Sequence, residues 1–180
     1  AADGTEKLAY VPRGVIPTLK NLTATTYNDN HRYFVDGTPM TGDVDLNGGM
    51  QDPKASGYDA YTPDWRTLLV GTLGAGGKGY FVLNVTDPAG FGTASASDLV
   101  VMDRTRSNSE AALNCSALTG AAKTACDTAV AEDKDIGNIV AKPGRNPANL
   151  QEATQIARMN NGRWAVVMGN GYNSVNQRPV

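Results

Sequence analysis

The stretch WRTLLVGTLGAGGKGYFVLNVTDP, residues 65–88, decides the fold class of this chain. Two runs rich in β-branched and aromatic residues flank a glycine-rich centre, which is the pattern of a β-hairpin. A second stretch, IARMNNGRWAVVMGNGYNS at residues 156–174, places two short apolar runs around Asn-Gly, a strong hairpin-turn signal. Each stretch carries a Trp near the start of one strand. Together they predict a repeated all-β unit.

The glycines of the first stretch also match a nucleotide-binding pattern, because Gly74, Gly76 and Gly79 read G-x-G-x-x-G. That motif needs a helix directly after it, whose N-terminus meets a pyrophosphate. Here Gly79 runs into YFVLNV, which favours a strand, and Pro88 ends the run. The glycines are therefore interpreted as a hairpin turn.

Composition and charge argue against several classes of partner. The net charge is -2, with 16 basic and 18 acidic residues mixed along the chain, so nucleic acid and anionic membrane are not expected partners. No apolar stretch approaches the roughly 18 residues that a membrane-spanning helix needs. Residues 1–10 lack the features of a signal peptide, although one could have been removed from a longer precursor. Twenty Gly and nine Pro suit strands and turns.

Further elements are predicted on either side of the hairpins, whose strands we place at 65–71 with 80–85 and at 154–159 with 163–168. In chain order the others are a strand at 7–15, a strand at 31–35 closed by Asp36-Gly37, a long loop at 41–64, a strand at 98–103, and two short helices within 110–130 split by Gly120. The last residues look like the start of another strand, which predicts that the chain is a piece of a longer protein.

The two cysteines, Cys115 and Cys126, lie in a polar, Ala-rich segment. There is no C-x-x-C, and the single His, His31, is distant, so a zinc site is not expected. A local disulfide between them is the preferred interpretation and would imply an oxidising compartment. The alternative is two unpaired thiols in a cytosolic loop.

An acidic turn is the candidate metal site. Asp43, Asp45 and Asn47 read D-x-D-x-N before a Gly, and such alternating oxygens can wrap Ca²⁺, which takes six to eight of them. The twelfth position of an EF-hand loop is Lys54 rather than Glu, so Asp52 is predicted to close the shell. The alternative is an acidic, solvated turn.

Four stretches of the sequence resemble the C-terminal β-propeller of the PilY/PilC family of type IV pilus biogenesis and tip-associated adhesin proteins. They are AYVPRGVIPTLKNLT (9–23), HRYFVDGTP (31–39), the hairpin of 65–88, and IARMNNGRWAVVMGNGYNSVNQRPV (156–180). The resemblance implies all-β, quinoprotein-like propeller blades of four strands. Residues 1–180 would then be part of a single propeller domain, with insertions at 42–64 and 104–153 and a short helical insertion near 107–131.

The resemblance also implies a function. It predicts an exported protein of the periplasm or cell surface that supports pilus assembly, retraction control and adhesion. Its partners would be pilus proteins such as minor pilins and a host or abiotic surface. The family is also known for a calcium-binding loop, which lies further along its chain.

Two other functions stay open. One is a quinoprotein-like oxidoreductase, although Trp65 and Trp164 are only two Trp and are interpreted as packing between blades. The other is a secreted calcium-binding structural module without a pilus role. A hydrolase is not expected, because the chain has no G-x-S-x-G and its single His31 is interpreted as a surface residue. The leading prediction is a non-enzymatic scaffold.

Overall fold

The computed structural model describes residues 3–47, 62–110, 114–150 and 153–175. Its largest element is a four-stranded antiparallel sheet, and two small two-stranded sheets accompany it. The strands are β1 (Met40–Asp45), β2 (Trp65–Thr72), β3 (Gly77–Lys78), β4 (Tyr80–Asn84), β5 (Val100–Asp103), β6 (Arg106–Ser107), β7 (Ile156–Arg158) and β8 (Trp164–Val166). The helices are α1 (Ala96–Leu99) and α2 (Gly120–Asp133), with 3-10 turns at Ile16–Thr23, Tyr27–Asp29 and Gly74–Gly76.

The large sheet has the order β1-β2-β4-β5, and β3 pairs with β6 while β7 pairs with β8. Among the described residues the eight strands therefore outnumber the two α-helices, in keeping with the strand-rich fold that the sequence predicts. A closed propeller is not seen within these ranges. No helix in the described part of the chain is long and apolar enough to cross a membrane.

Both predicted hairpins are confirmed. β2 pairs antiparallel with β4, with Val70 opposite Val82, and the glycine turn lies between them. β7 pairs antiparallel with β8, with Ala157 opposite Ala165. No helix follows Gly79, because β4 begins at the next residue, so the structural context of a dinucleotide-binding turn is missing.

The four-stranded sheet is covered on both faces. On one face, Val15, Leu73, Phe81 and Leu83 are buried under side chains from the N-terminal segment, residues 8–34. On the other face, a second core is packed against the β7–β8 hairpin; its members include Met40, Val70, Val82, Ile156, Val166 and Met168. Apolar burial on two faces is what stabilises a sheet placed between layers.

Strands predicted at 7–15 and 31–35 are wrong, because neither segment joins a sheet. Their apolar side chains still pack on the sheet, as Tyr10 does on Phe81 with ring centroids 5.2 Å apart. Residue 36 instead bonds to the glycine turn, where the Asp36 amide donates to the Leu73 carbonyl over 3.1 Å. β propensity therefore predicted burial here without predicting strand pairing.

The loop predicted at 41–64 is wrong at its start, because residues 41–45 belong to strand β1, which pairs with β2. Met40, Gly42 and Val44 are buried at every second position, which is the alternation of a strand. The two helices predicted within 110–130 are replaced by α2 alone among the described residues, since residues 114–119 are not helical and 111–113 lie outside the described ranges.

Helix α2 buries little of its surface, and it is held at its C-terminal end by charge. Arg104 pairs with Glu132 over 2.8 Å and with the buried Asp133 over 3.8 Å. Burial raises the pKa of the Asp133 carboxyl, and the nearby Arg104 opposes that rise. The ion pairs therefore anchor the end of α2 beside β5 and β6.

Candidate functional site

The glycine turn after β2 is a packed junction. Gly74 and Gly79 have φ angles of +57° and +90°, which glycine adopts without a steric penalty. A Cβ at Gly76 or Gly79 would overlap backbone carbonyls, of Phe34 and Arg104 respectively. The close approach of backbone from other segments thus requires glycine at these positions.

Asn138 is the polar centre of this junction, and its side chain is 1% exposed. Its Nδ2 lies 2.9 Å from each of three acceptors, the Gly74 carbonyl, the Gly77 carbonyl and Asn108 Oδ1. Its Oδ1 accepts a bond of 3.3 Å from Asn173 Nδ2. A single side chain therefore joins the glycine turn, the segment after β6 and the end of the chain.

Asp103, at the end of β5, fastens the N-terminal segment to the sheet. Its carboxylate accepts hydrogen bonds from Tyr10 Oη (2.5 Å), the Arg13 amide (2.7 Å), and the amide and hydroxyl of Thr105 (2.8 and 2.5 Å). Burial alone would raise the pKa of Asp103, but these bonds hold it below its usual value. Burial and the adjacent carboxylate raise the pKa of Tyr10. The arrangement is a structural clamp in which Asp103 stays ionised.

The predicted calcium ligands are only partly described, because Asp52 lies outside the described residues. Asp43 and Asp45 both belong to strand β1, which differs from the continuous loop of an EF-hand. Asp43 Oδ1 accepts a bond of 2.7 Å from Thr67 Oγ1. The buried Asp45 Oδ1 accepts from the amides of Asn47 (3.0 Å) and Asp64 (2.8 Å), and so closes the turn.

Within the described ranges, no group of three or more His, Cys, Asp or Glu side chains is placed to hold a metal ion. Calcium binding by Asp43, Asp45, Asn47 and Asp52 therefore stays a prediction. Asp45 has a structural role that needs no metal, because its carboxylate accepts hydrogen bonds from two backbone amides.

The calcium prediction is tested by thermal unfolding with millimolar calcium against chelator, in wild type and Asp45→Asn. If the turn binds the ion, calcium stabilises the wild type, by about 2.7 kcal/mol at a hundredfold excess over the dissociation constant. Asp45→Asn keeps an acceptor oxygen for the two amides but removes the charge, so it should lose the calcium response. Equal melting temperatures with calcium and with chelator in the wild type would contradict the prediction.

The predicted disulfide is present in the structure, where Cys115 and Cys126 are bonded with their Cα atoms 5.8 Å apart. Cys115 lies in the turn before α2 and Cys126 lies in the helix. The bond thus ties a largely exposed helix to the segment that precedes it.

Reduction of this disulfide is expected to loosen α2 more than the sheet. Isolated helices of this length are only marginally stable in water. A disulfide that closes a loop of about a dozen residues stabilises the folded state by about 3 kcal/mol, because it restricts the unfolded chain. We expect Cys115→Ser with Cys126→Ser to raise hydrogen exchange in α2 at least tenfold while β2 and β4 keep their protection. Two alkylatable thiols in unreduced wild-type protein, or equal exchange in α2, would contradict it.

An apolar groove lies between the four-stranded sheet and the β7–β8 hairpin. It has a volume of about 440 Å³, and its wall includes Val44, Leu68, Val82, Met102, Ile139 and Met168. Trp164 also lines it, and the indole Nε1 of Trp164 is buried without a hydrogen-bond partner among the described residues. The lining of this groove suits an apolar occupant.

The two tryptophans meet beside this groove. The rings of Trp65 on β2 and Trp164 on β8 lie 6.0 Å apart at 71°, an edge-to-face contact. Sequence reasoning identified this pair as packing, and the contact does join the two sheets. Sequence reasoning did not identify Asn138 or Asp103, because one Asn in a loop and one Asp at a strand end carry no pattern.

Comparison with curated proteins finds relatives along nearly the whole chain. The chain is 31% identical over 177 residues to "Type IV pilus biogenesis factor PilY1" of Pseudomonas aeruginosa strain PAK. The matched region covers 98% of this chain and 10% of that protein. The chain is 32% identical over 177 residues to a "Type IV pilus biogenesis factor PilY1 homolog" of Xylella fastidiosa, and that match covers 98% of this chain and 8% of the relative. The chain thus spans about a tenth of the length of these relatives.

No protein-family profile matches the chain. A search of solved structures likewise returns no significant match.

Proposed function

Since this chain is a relative of a segment of the PilY1 type IV pilus biogenesis factors, we propose that it is a non-enzymatic structural segment of such a pilus-associated protein. In this role it contributes a blade, and the start of a second, to a β-propeller that supports pilus assembly and retraction control. Exposed surfaces of the same propeller would serve adhesion to host or abiotic surfaces. Minor pilins are the proposed protein partners, and the periplasm or cell surface is the proposed location.

The observation that carries this proposal is the identity of 31–32% over 97–98% of the chain with proteins named for pilus biogenesis. The fold supports it in two ways. A four-stranded antiparallel meander is the unit from which propeller blades are built, and this one is covered on both faces. The disulfide supports an oxidising compartment.

The two alternatives predict different results. A quinoprotein-like oxidoreductase would give an absorbing complex with added quinone and dye-coupled alcohol oxidation. A secreted calcium-binding module without a pilus role would leave pili unaffected when the gene is deleted. No observation on the described residues favours either alternative over a scaffold.

The proposal is tested in a piliated host by replacing the chromosomal gene with a Gly79→Ala variant, because that substitution disrupts the glycine junction. Gly92→Ala is the matched control, since a Cβ at Gly92 meets no atom within 4 Å. We expect surface pili and twitching motility to be lost in the first strain and kept in the second. Normal piliation in a strain deleted for the whole gene would overturn the pilus role.

A further inference from the structure

We propose that a cavity between residues 31–34 and the glycine turn binds a carboxylated sugar, with the Arg32 guanidinium on the carboxylate and the Tyr33 ring against the sugar ring. The inference deepens the proposed function and rests on it, because it names a ligand class for an adhesive surface of the protein. Binding of a free sugar needs no pilus, so this inference and the pilus role can fail separately.

The cavity is small and partly polar. It has a volume of about 240 Å³, and its wall includes side chains of residues 32–34, the glycine turn at Ala75 and Gly76, and the hydroxyl-bearing residues Thr18 and Ser109. Pockets for drug-sized ligands span about 300–1,000 Å³, so this cavity suits a smaller group such as one sugar residue. No acidic residue lines it within the part of the chain that the structure describes.

Arg32 brings a positive charge to the cavity. Its guanidinium has no ion-pair or hydrogen-bond partner within the described ranges, whereas Arg66 and Arg104 pair with carboxylates over 2.7 and 2.8 Å. A guanidinium pairs best with a carboxylate, because its fork of N–H donors can bind both carboxylate oxygens at once. Arg32 therefore favours an anionic ligand with a planar acid group.

Tyr33 offers an aromatic face at the same cavity. The residue is 57% exposed, and its ring meets the ring of His31 at 5.3 Å and 88°, an edge-to-face contact that leaves another side of the tyrosine ring free. The face of an aromatic ring is electron-rich, so it attracts the electron-poor C–H groups on one face of a pyranose ring. Residues 31–35 join no sheet, so strand pairing does not account for this exposed ring.

Contacts on two sides hold the cavity in shape before a ligand arrives. On the aromatic side, the Tyr27 ring lies 5.8 Å from the His31 ring, and Tyr27 Oη donates to the Arg32 carbonyl over 3.4 Å. On the glycine-turn side, Asn108 Nδ2 donates to the Ala75 carbonyl over 3.2 Å. Groups that are already positioned lose less conformational entropy when a ligand binds.

Thr18 and Ser109 supply hydrogen-bonding partners for sugar hydroxyls. Thr18 Oγ1 donates to the Val15 carbonyl over 2.7 Å, so its own oxygen can accept a hydrogen bond from a ligand. Ser109 is exposed, and its hydroxyl can donate or accept. An apolar anion such as a fatty acid offers no partner to these hydroxyls, whereas a sugar does. The lining therefore favours a carboxylated sugar over an apolar acid.

The first measurement compares matched acidic and neutral sugars as ligands of the full-length protein by saturation-transfer NMR. The pairs are galacturonate with galactose, and sialyllactose with lactose, so that the two arms distinguish a uronic acid from a sialic acid. We expect the acidic member of at least one pair to bind about tenfold more tightly, because it gains a charge-assisted hydrogen-bond pair. Equal affinity within both pairs, or no binding of either acid, would overturn the proposal.

The second measurement assigns the binding to this cavity. Arg32→Gln should weaken binding of the acidic sugar about tenfold and leave the neutral sugar unchanged, because only the charge-assisted pair is lost. Tyr33→Ala should weaken both, whereas Tyr33→Phe keeps the ring and the binding. Arg163→Gln and Tyr172→Ala, at exposed positions outside the cavity, are the matched controls and should bind as wild type. Wild-type affinity for the acidic sugar in Arg32→Gln would overturn the assignment.

Discussion

Gly79→Ala is expected to lower the free energy of unfolding by about 3 kcal/mol, because it adds backbone strain and a steric overlap at one position. Gly79 has a φ of +90°, and a Cβ there would overlap the Arg104 carbonyl oxygen, which belongs to rigid backbone beside β5. Small domains have total stabilities of about 5–15 kcal/mol, so this loss is severe. Urea unfolding followed by the fluorescence of Trp65 and Trp164 measures it.

Two other glycines separate the effect of backbone strain from the effect of steric overlap. Gly120 has a φ of +58° in open space, so Gly120→Ala tests strain without overlap and should cost about 1 kcal/mol. Gly92 has open space and no positive φ, so Gly92→Ala should change stability by less than about 0.5 kcal/mol. If Gly79→Ala costs no more than Gly120→Ala, the backbone approach to Arg104 is not a determinant of stability.

Asn138→Ala is expected to have the next largest effect, a loss of about 3 kcal/mol. The substitution leaves the buried carbonyls of Gly74 and Gly77 without the amide that they share, and it opens a cavity at a side chain that is 1% exposed. Unfolding in urea gives the loss. Hydrogen exchange at the Gly79 amide, which donates to the Gly137 carbonyl, reports whether the junction opens locally.

Asn138→Asp is the informative companion, because it keeps the volume but replaces two amide protons with a carboxylate. It should destabilise the protein at neutral pH at least as much as Asn138→Ala, since buried charge facing two carbonyl oxygens is unfavourable. Exposed Asn28→Ala is the control and should be neutral. An aspartate variant as stable as wild type would show that hydrogen-bond donation by residue 138 is not required.

Local patterns predicted the elements that depend on local pairing. The hairpins at β2–β4 and β7–β8 follow from alternation around turn residues, and β5 follows from a short apolar run. The strand predicted at 98–103 is wrong at its start, because Asp98 and Leu99 end helix α1, which a Ser95–Asp98 capping box begins. The same patterns failed at residues 7–15 and 31–35, where apolar side chains found burial without strand partners. β1 was missed because its polar Asp43 and Asp45 suggested a loop, whereas Met40, Gly42 and Val44 form its buried face.

The junction at Asn138 could not be predicted from the sequence, because its partners come from three separate segments. The role of a buried Asn side chain depends on which hydrogen-bond partners surround it in the folded protein. In the sequence, one Asn among many in loops gives no periodic signal. The prediction that a strand rather than a helix follows Gly79 is confirmed, since that strand is encoded locally. Their actual use, close contact with backbone from distant segments, depends on the tertiary fold.

The contact between Asn108 and Asn138 has a consequence for protein engineering. These residues are 30 positions apart in sequence, but Asn138 Nδ2 lies 2.9 Å from Asn108 Oδ1. The segment between them, which contains α2, therefore begins and ends at the same place on the protein. Domain insertion succeeds at sites whose two ends are close together and whose removal disturbs few buried contacts. The exposed start of α2 is therefore an insertion site, at which a fluorescent or affinity module can be added without altering the sheet. The same property predicts that the segment between Asn108 and Asn138 tolerates changes in length.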